Sequence, residues 1–400
     1  MEQIVARVEE KCRQARSRIL GPVINGTGVL LHTNLGRAPL GKTLFEEIGK
    51  TLGGYCNLEI DVLERSRSIR GPHVSNLLAQ ACEAEDAIVV NNNAAALFLI
   101  LREFATGKEV IVSRGELVQI GGGFRIPDIL VSSGASLREV GTTNITTADD
   151  VKDALGPDTA LVLKVHQSNF RMDGFVKEPS LRELARENLE GALLVSDLGS
   201  GNLIRSSSGA PIVEPTPADM LKEGADLVCF SCDKMLGGVQ GGVIAGRSEL
   251  IGRLRKNPVM RVVRVDKVTY AALQIVLTHH LAGEHQKVKL WSLAMAGGDT
   301  IFHRAKSFVG EHDLDPGQFE VVDCQSTFGG GSTPGGDIPS AAVRIHVGLG
   351  PDEIASFFQR GEPPVIGTVK EGYFQIDFRT VLPEDEAALA QACKDLLSLL

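Results

Sequence analysis

Lys234 stands at the mouth of the run FSCDKMLGGVQGG, residues 230–242, which holds four glycines. An amine becomes a nucleophile toward a carbonyl only when uncharged, and glycines let a ligand approach the backbone where side chains would block it. Two other stretches are candidates for the same chemistry. Asp197 closes GALLVSD and is followed by LGSGN, and the apolar run DAIVV is followed by NNNAAAL, residues 91–97. The latter opens a helix whose first-turn amides suit a phosphate. Taken singly, each has an ordinary reading: a surface lysine, a helix cap, a capped helix start. Taken in this order they are the parts pyridoxal phosphate requires. The lysine forms a Schiff base with the cofactor aldehyde, the aspartate keeps the pyridinium nitrogen protonated, and the helix start holds the phosphate. The cofactor-binding candidates are therefore Lys234, Asp197, Asn92, Asn93 and Ala94, with Ser200 and Ser231 beside the aspartate and the lysine.

Such residues must be delivered by strand ends. Short apolar, β-branched runs recur in DAIVVNN, KEVIVSR, TALVLKVH, GALLVSD, ADLVCFS and GGVIAGR, and most are separated by helix-length segments such as SLRELARENLE. That alternation predicts an α/β fold whose mostly parallel sheet is covered on both faces and binds ligands at the carboxyl ends of its strands. From about residue 276 smaller signals resume, and the expected organisation is an N-terminal helical segment over 1–24, a large cofactor-binding domain over 25–275 and a small C-terminal α+β domain over 276–400. The Gly- and Pro-rich STFGGGSTPGGDIPS, residues 326–340, reads either as a flexible surface loop or as a segment folding toward the cofactor. No G-x-G-x-x-G follows the first strand and no G-x-x-x-x-G-K-[ST] occurs, which disfavours dinucleotide and P-loop readings.

Composition narrows the class. Four hundred residues can bury a large core, and no apolar run reaches the ~20 residues of a membrane span. The charged N-terminus lacks a secretory apolar region, so the expected location is the cytoplasm, away from membranes. Seven cysteines make no disulfide framework. Cys229 and Cys232 form a single C-x-x-C with no second pair or nearby histidine, so no metal site is expected. The net charge of −9 argues against a globally basic nucleic-acid surface.

Eight stretches in order carry a family resemblance: VINGTGVLLHTNLGRAPL, IVVNNNAAALFLIL, VSRGELVQIGGGFRIPDI, EVGTTNIT, LVLKVHQSNF, VSDLGSGNL, FSCDKMLGGVQGG and PVIG. From about Pro22 nearly to the C-terminus, the chain resembles bacterial selenocysteine synthases, the L-seryl-tRNA(Sec) selenium transferases. The resemblance implies an aspartate-aminotransferase-like, pyridoxal-phosphate-dependent transferase fold, with Lys234 as the cofactor lysine. It also implies seryl-tRNA(Sec) and selenophosphate as substrates, and a homo-oligomer, a dimer at least and in the family a pentamer of dimers. The implied reaction removes the seryl Cα proton and the Cβ hydroxyl to give a dehydroalanyl intermediate, to which selenium adds. The chain departs from the family in two places. The segment ahead of VINGTG is short, which predicts weakened tRNA binding, and Cys232 stands where the family usually has glycine.

The implied chemistry needs an anion pocket for the selenium donor, and arginine suits it through its planar, always-charged fork. By resemblance, Arg37 in HTNLGRA and Arg261 and Arg264 in VMRVVR occupy the positions expected of catalytic donor-binding arginines; their i, i+3 spacing predicts that the last two share a helical face. Arg114, Arg125 and ERSRSIR at 64–70 are secondary candidates, the last read as a solvated loop meeting a neighbouring subunit or RNA phosphates. Two alternatives share the same parts. One is a pyridoxal-phosphate lyase or aldolase acting on a small, phosphorylated amino acid without tRNA; the other is a non-catalytic binding protein, against which the presence of both Lys234 and Asp197 counts.

Overall fold

The computed structural model describes residues 19–120, 123–167, 170, 172–205, 214–329 and 332–399, together with 4, 7 and 11. The expected helical segment over 1–24 lies for the most part outside the described residues. The chain divides into a larger unit, residues 30–295 with 328–336, and a smaller one, residues 1–29, 296–327 and 337–400.

In the larger unit the strands are β1 (Asp86–Val90), β2 (Glu109–Ser113), β3 (Ser136–Val140), β4 (Thr159–Val165), β5 (Leu193–Gly199), β6 (Leu227–Ser231) and β7 (Gly242–Gly246). They form one sheet in the order β1-β7-β6-β5-β4-β2-β3. Every neighbouring pair is parallel except those made by β7, which runs antiparallel to both β6 and β1. Two reversals cancel, so β1 points the same way as β6 and β5. The NNNAAAL turn, Asp197 and Lys234 consequently lie at one edge of the sheet.

The central strands are buried on both faces, as continuous apolar runs in a helix-covered sheet must be. Val90, Leu97, Ile100, Val112, Leu163 and Cys229 belong to one apolar core around the sheet. Strand β3 is the exception. Its sequence SLREV leaves Ser136, Arg138 and Glu139 exposed because it is an edge strand, and for that reason it is absent from the apolar runs read off the sequence. Helix α1 (Asn93–Phe104) is capped by Asn92, whose Oδ1 accepts the Ala95 amide at 2.8 Å. Capping boxes at Thr147, Ser180 and Thr216 start three further helices. The remaining helices needed below are α2 (Val259–Val262), α3 (Lys267–Leu281) and α4 (Lys289–Ala294). The boundary expected at 275/276 falls inside α3, a continuous helix.

The smaller unit has its own apolar core, with Ile24, Phe308, Phe319, Phe358 and Phe374 among its members. Its strands β8 (Phe319–Gly329), β9 (Ser332–Ile345), β10 (Thr368–Lys370) and β11 (Tyr373–Asp377) are ordered β8-β9-β11-β10. The stretch 326–340 is therefore not a loop: apart from residues 330 and 331, outside the described set, it is strand, and residues 328–336 group with the larger unit. The N-terminal Ile24–Asn25 pairs in parallel with Val365–Ile366, which ties the start of the described chain to the C-terminal unit. Asp377, buried, accepts hydrogen bonds from Ser326 at 2.7 Å and Ser340 at 2.6 Å. Gly28, at φ +74°, lies so close that a Cβ there would stand 2.2 Å from Asp377 Oδ2. No helix among the described residues is long and apolar enough to cross a membrane.

Candidate active site

Lys234 follows β6 by three residues and is only 4% exposed. Burial holds its amine below the ordinary lysine value, Arg37 adds to that effect, and Asp197, Asp233 and Glu214 oppose it. The lysine is thus biased toward the uncharged nucleophile the sequence reading required. Its loop is fixed from behind: Trp291 of α4 donates through Nε1 to the Met235 carbonyl at 2.7 Å, and His280 of α3 bonds through Nε2 to the Leu236 carbonyl at 2.9 Å. Burial lowers the His280 pKa to about 4. At neutral pH it is therefore uncharged, with Nε2–H donating to Leu236.

Asp197 ends the regular part of β5, where a register irregularity between Asp197 and Gly199 turns the chain. Its Oδ1 accepts the Asn93 side-chain amide at 2.8 Å and the Gly199 backbone amide at 3.0 Å. Asn93 begins α1 after β1, three strand positions from β5, a separation of roughly 14 Å at sheet spacing. The β1–α1 turn therefore carries the chain across the sheet edge. Burial pushes the Asp197 carboxyl up; the Asn93 hydrogen bond and the Lys234 and His166 charges oppose it.

Two neighbours were missed by sequence reasoning. Cys229 lies beside Asp197 in the β5–β6 register and hydrogen-bonds to it, its thiol pushed well above the usual range by burial. His166 follows β4; its backbone amide donates to the Asp197 carbonyl at 2.8 Å, and its buried Nδ1 has no hydrogen-bond partner. The position of His166 immediately after TALVLKV, at a strand end, was the available signal.

These residues fit pyridoxal phosphate. Two buried polar atoms, Asn93 Oδ1 and His166 Nδ1, are left without partners around Asp197. The glycines keep the backbone close by: a Cβ on Gly242 would stand 2.2 Å from the Asn92 carbonyl oxygen, and one on Gly201 would stand 2.3 Å from that of Ser231. Lys234 would hold the aldehyde carbon, Asp197 the ring nitrogen, and the first-turn amides at Asn93 and Ala94 the phosphate, since those amides have no acceptor within the helix. The Ser200 hydroxyl is engaged elsewhere, donating to Glu214 Oε2 at 2.6 Å. Ser231 ends β6 and is buried.

The three donor-pocket arginines are not brought together in one chain. Arg37 forms an ion pair with Asp233 at 2.8 Å, next to Lys234, and the Ala38 amide donates to the Asp233 carbonyl at 3.2 Å. Arg261 and Arg264 instead line a cavity of about 340 Å³ with Arg67, Arg70, Arg255 and Tyr270, a lining that includes neither Lys234 nor Arg37. Helix α2 ends at Val262, so Arg264 lies beyond it and the expected shared helical face is replaced by a turn. That turn adjoins the phosphate cradle through the Asn91 amide, which donates to the Val263 carbonyl at 2.9 Å. The ERSRSIR stretch is half of a short hairpin, Ile60–Asp61 against Ser66–Arg67. Arg70 pairs with Glu59 at 2.6 Å and donates to the Val265 carbonyl at 3.2 Å. Arg114 and Arg125 are engaged locally, with Glu139 and Gln119.

A buried lysine, a buried aspartate and a helix start converging on the carboxyl edge of a mostly parallel sheet define a pyridoxal-phosphate-dependent enzyme of the aspartate-aminotransferase-like fold. The solved structure of a D-glucosaminate-6-phosphate ammonia-lyase shares the fold, with a TM-score of 0.64, 16% identity, and coverage of 94% of this chain and 95% of that one. The chain belongs to the L-seryl-tRNA selenium transferase family, whose profile matches residues 23–382. It is 40% identical over 404 residues to the L-seryl-tRNA(Sec) selenium transferase of Geobacter sulfurreducens, spanning 99% of this chain and 87% of that protein. It is likewise 40% identical to the Aquifex aeolicus enzyme of the same name, over 98% of this chain and 88% of the relative.

Proposed function

We propose that this protein uses pyridoxal phosphate to convert seryl-tRNA(Sec) into selenocysteinyl-tRNA(Sec), with selenophosphate as the donor. The observation that carries this reading is the convergence of Lys234, Asp197 and Asn93 at one sheet edge, in a chain 40% identical to enzymes of that name. When bound, pyridoxal phosphate supplies an electron sink for the charge left at the seryl Cα. Lys234, whose amine burial holds below the ordinary lysine value, would take the Cα proton. Asp197 would face the ring nitrogen and favour its protonated form, and Asn93 and Cys229 hold the carboxylate in place. The Trp291 and His280 contacts keep the lysine loop from shifting as Lys234 changes partners.

Selenophosphate is taken up by arginine. Arg37 lies beside Lys234 but is partly neutralised by Asp233, whereas Arg261 and Arg264 are exposed. Because one chain separates Arg261 and Arg264 from its own Lys234 pocket, the enzyme is read as a homo-oligomer, a dimer at least, in which the arginines of one copy serve the lysine of another. The family resemblance extends this to a pentamer of dimers. The cytoplasm is the matching location, since the cysteines among the described residues are free thiols. The lyase reading has only the shared fold behind it, and at 16% identity a fold carries no substrate.

The direct test supplies the purified protein with pyridoxal phosphate, reduces it with borohydride and maps the label, which is expected on the Lys234 peptide. Seryl-tRNA(Sec) and selenophosphate should then give selenocysteinyl-tRNA(Sec). Turnover of a free phosphorylated amino acid in place of the tRNA would replace this reading.

A further inference from the structure

Glu116 is buried, 2% exposed, in the short turn Arg114–Glu116 that follows β2, and it has no part in the scheme above. Its two carboxylate oxygens have different partners. Oε1 accepts from Lys164 Nζ at 2.5 Å, and Oε2 accepts the Val165 backbone amide at 2.7 Å. Lys164 Nζ also reaches Glu178 Oε2 at 2.8 Å. The neighbouring Gly115 carbonyl accepts the Gln167 side-chain amide at 3.3 Å, and a Cβ at Gly115 would stand 2.6 Å from the Thr143 carbonyl oxygen, so the turn is closely held. Residues 115 and 116 thus grip the chain at 167 and 165, on either side of His166.

Strand lengths explain why an outside acceptor is needed. Backbone amides along a strand of a parallel sheet point alternately to its two neighbours. At the end of β4 the His166 amide points to β5, donating to the Asp197 carbonyl at 2.8 Å. The Val165 amide points the other way, toward β2, whose register with β4 runs to Val112 opposite Leu163 and which itself ends at Ser113. A buried amide must find an acceptor, and the Glu116 carboxylate supplies the one that β2 no longer offers. Burying that charge requires Lys164 as a counter-ion, and a buried ion pair adds little net stability over apolar packing of the same volume. What the arrangement does fix is position. Hydrogen bonds hold residues 165, 166 and 167, and at their centre the buried Nδ1 of His166 is left without a hydrogen-bond partner.

We infer that Glu116 is a positioning residue of the cofactor site, holding the end of β4 so that His166 presents Nδ1 to the bound cofactor. The inference rests on the proposed function, which seats pyridoxal phosphate beside Asp197. Glu116 acts only through His166, and Gln167 is the second arm of the same clamp.

The test is a double-mutant cycle read on cofactor binding. Full chains freed of cofactor are titrated with pyridoxal phosphate, and the dissociation constant is taken from the absorbance that develops. Glu116→Ala should weaken binding about tenfold, the worth of one hydrogen bond. Adding Glu116→Ala to His166→Ala should weaken it no further, because the contact that Glu116 positions is already gone. Equal weakening in both backgrounds, or none in either, overturns the inference and leaves Glu116 a support of the fold alone. Should Glu116→Ala fail to fold, Gln167→Ala leaves the Lys164 pair intact, opens the other arm and is read in the same cycle, with a severalfold loss expected only where His166 is present. A second readout needs no cofactor. Diethyl pyrocarbonate modifies histidine ring nitrogens, and its rate at His166, followed by mass spectrometry of the peptide, should rise severalfold in Glu116→Ala and in Gln167→Ala. An unchanged rate would show that the clamp does not hold His166. If the parent never binds pyridoxal phosphate, the proposed function fails, and the modification rates alone decide whether Glu116 positions His166.

Discussion

The larger unit handles positive charge in two opposite ways. Around Lys234 the charges are matched: half-buried Arg37 with Asp233, and the buried amine with Asp197 and Glu214. Around Arg261 and Arg264 positive charge is in excess: the cavity lining holds five arginines and Glu59 as its one carboxylate, and while Arg255 pairs with Asp86 and Arg67 and Arg70 pair with Glu59, Arg261 and Arg264 are exposed. The difference follows from the two side chains. A lysine amine can be brought to neutrality by desolvation and so made a base, whereas a guanidinium stays charged and can only attract an anion. In the proposed function, one region moves a proton and the other holds an oxyanion.

The sharpest way to break this contrast is Lys234→Ala. It removes both the attachment point and the base, so turnover should fall by at least about 10⁴-fold, while phosphate contacts at the 91–94 turn still retain the cofactor non-covalently. Equilibrium dialysis distinguishes retention from loss, and loss would mean that the turn is no cradle. Asp197→Ala comes next, with turnover expected to drop on the order of 10²–10³-fold as a preorganised charge disappears. Attachment to Lys234 should persist in that variant; a protein that no longer gains visible absorbance would show that Asp197 holds the fold instead.

Replacing Arg261 and Arg264 together by alanine tests the other region. Each charge-assisted contact is worth about 1.5–3 kcal/mol, so use of the selenium donor should weaken by about 100-fold or more with the Lys234 absorbance unchanged. Mixed with Lys234→Ala chains, the double variant should regain part of its activity if the two regions meet between copies. Recovery absent from verified mixed oligomers would confine each site to a single chain. Because these arginines are exposed, salt should weaken donor use in the parent far more than it changes attachment at buried Lys234.

The smallest effect concerns the buried side alone. His280 binds its proton at about pH 4, below the 6.5 of an unfolded histidine, so between those values the unfolded chain takes up more protons than the folded one. Stability should therefore fall as the pH drops from about 6.5 to 4 and be unaffected above it. Denaturant titrations of His280→Gln should show a flatter profile through that window, and an identical slope would remove His280 from the support of the lysine loop.

Much of the site was legible because it is local. DAIVV followed by NNNAAAL, GALLVSD by LGSGN and ADLVCFS by the lysine run are each a strand and the turn that ends it, and apolar burial with glycine punctuation reports such units directly. The capping of α1 by Asn92 is equally local. What the pattern missed depended on neighbours distant in sequence. SLREV carries too little apolar character to be read as a strand, yet pairs with β2 at the sheet edge. STFGGGSTPGGDIPS has the composition of a loop, and its described residues are strand because they lie beside other strands.

The sequence by itself determined which residues could do the chemistry and the order in which the strand ends present them, since residue type and short-range periodicity are properties of the chain. Only the tertiary structure decided that they meet. The antiparallel insertion of β7 turns β1 to the same edge as β5 and β6, and the β1–α1 turn brings Asn93 to within 2.8 Å of Asp197, 104 residues away. It likewise decided that Arg261 and Arg264, 27 and 30 residues beyond Lys234 and nearer to it in sequence than Asp197 is, line a cavity that Lys234 does not. Sheet order and helix packing depend on how whole faces are buried against one another, and no local run of residues carries that information.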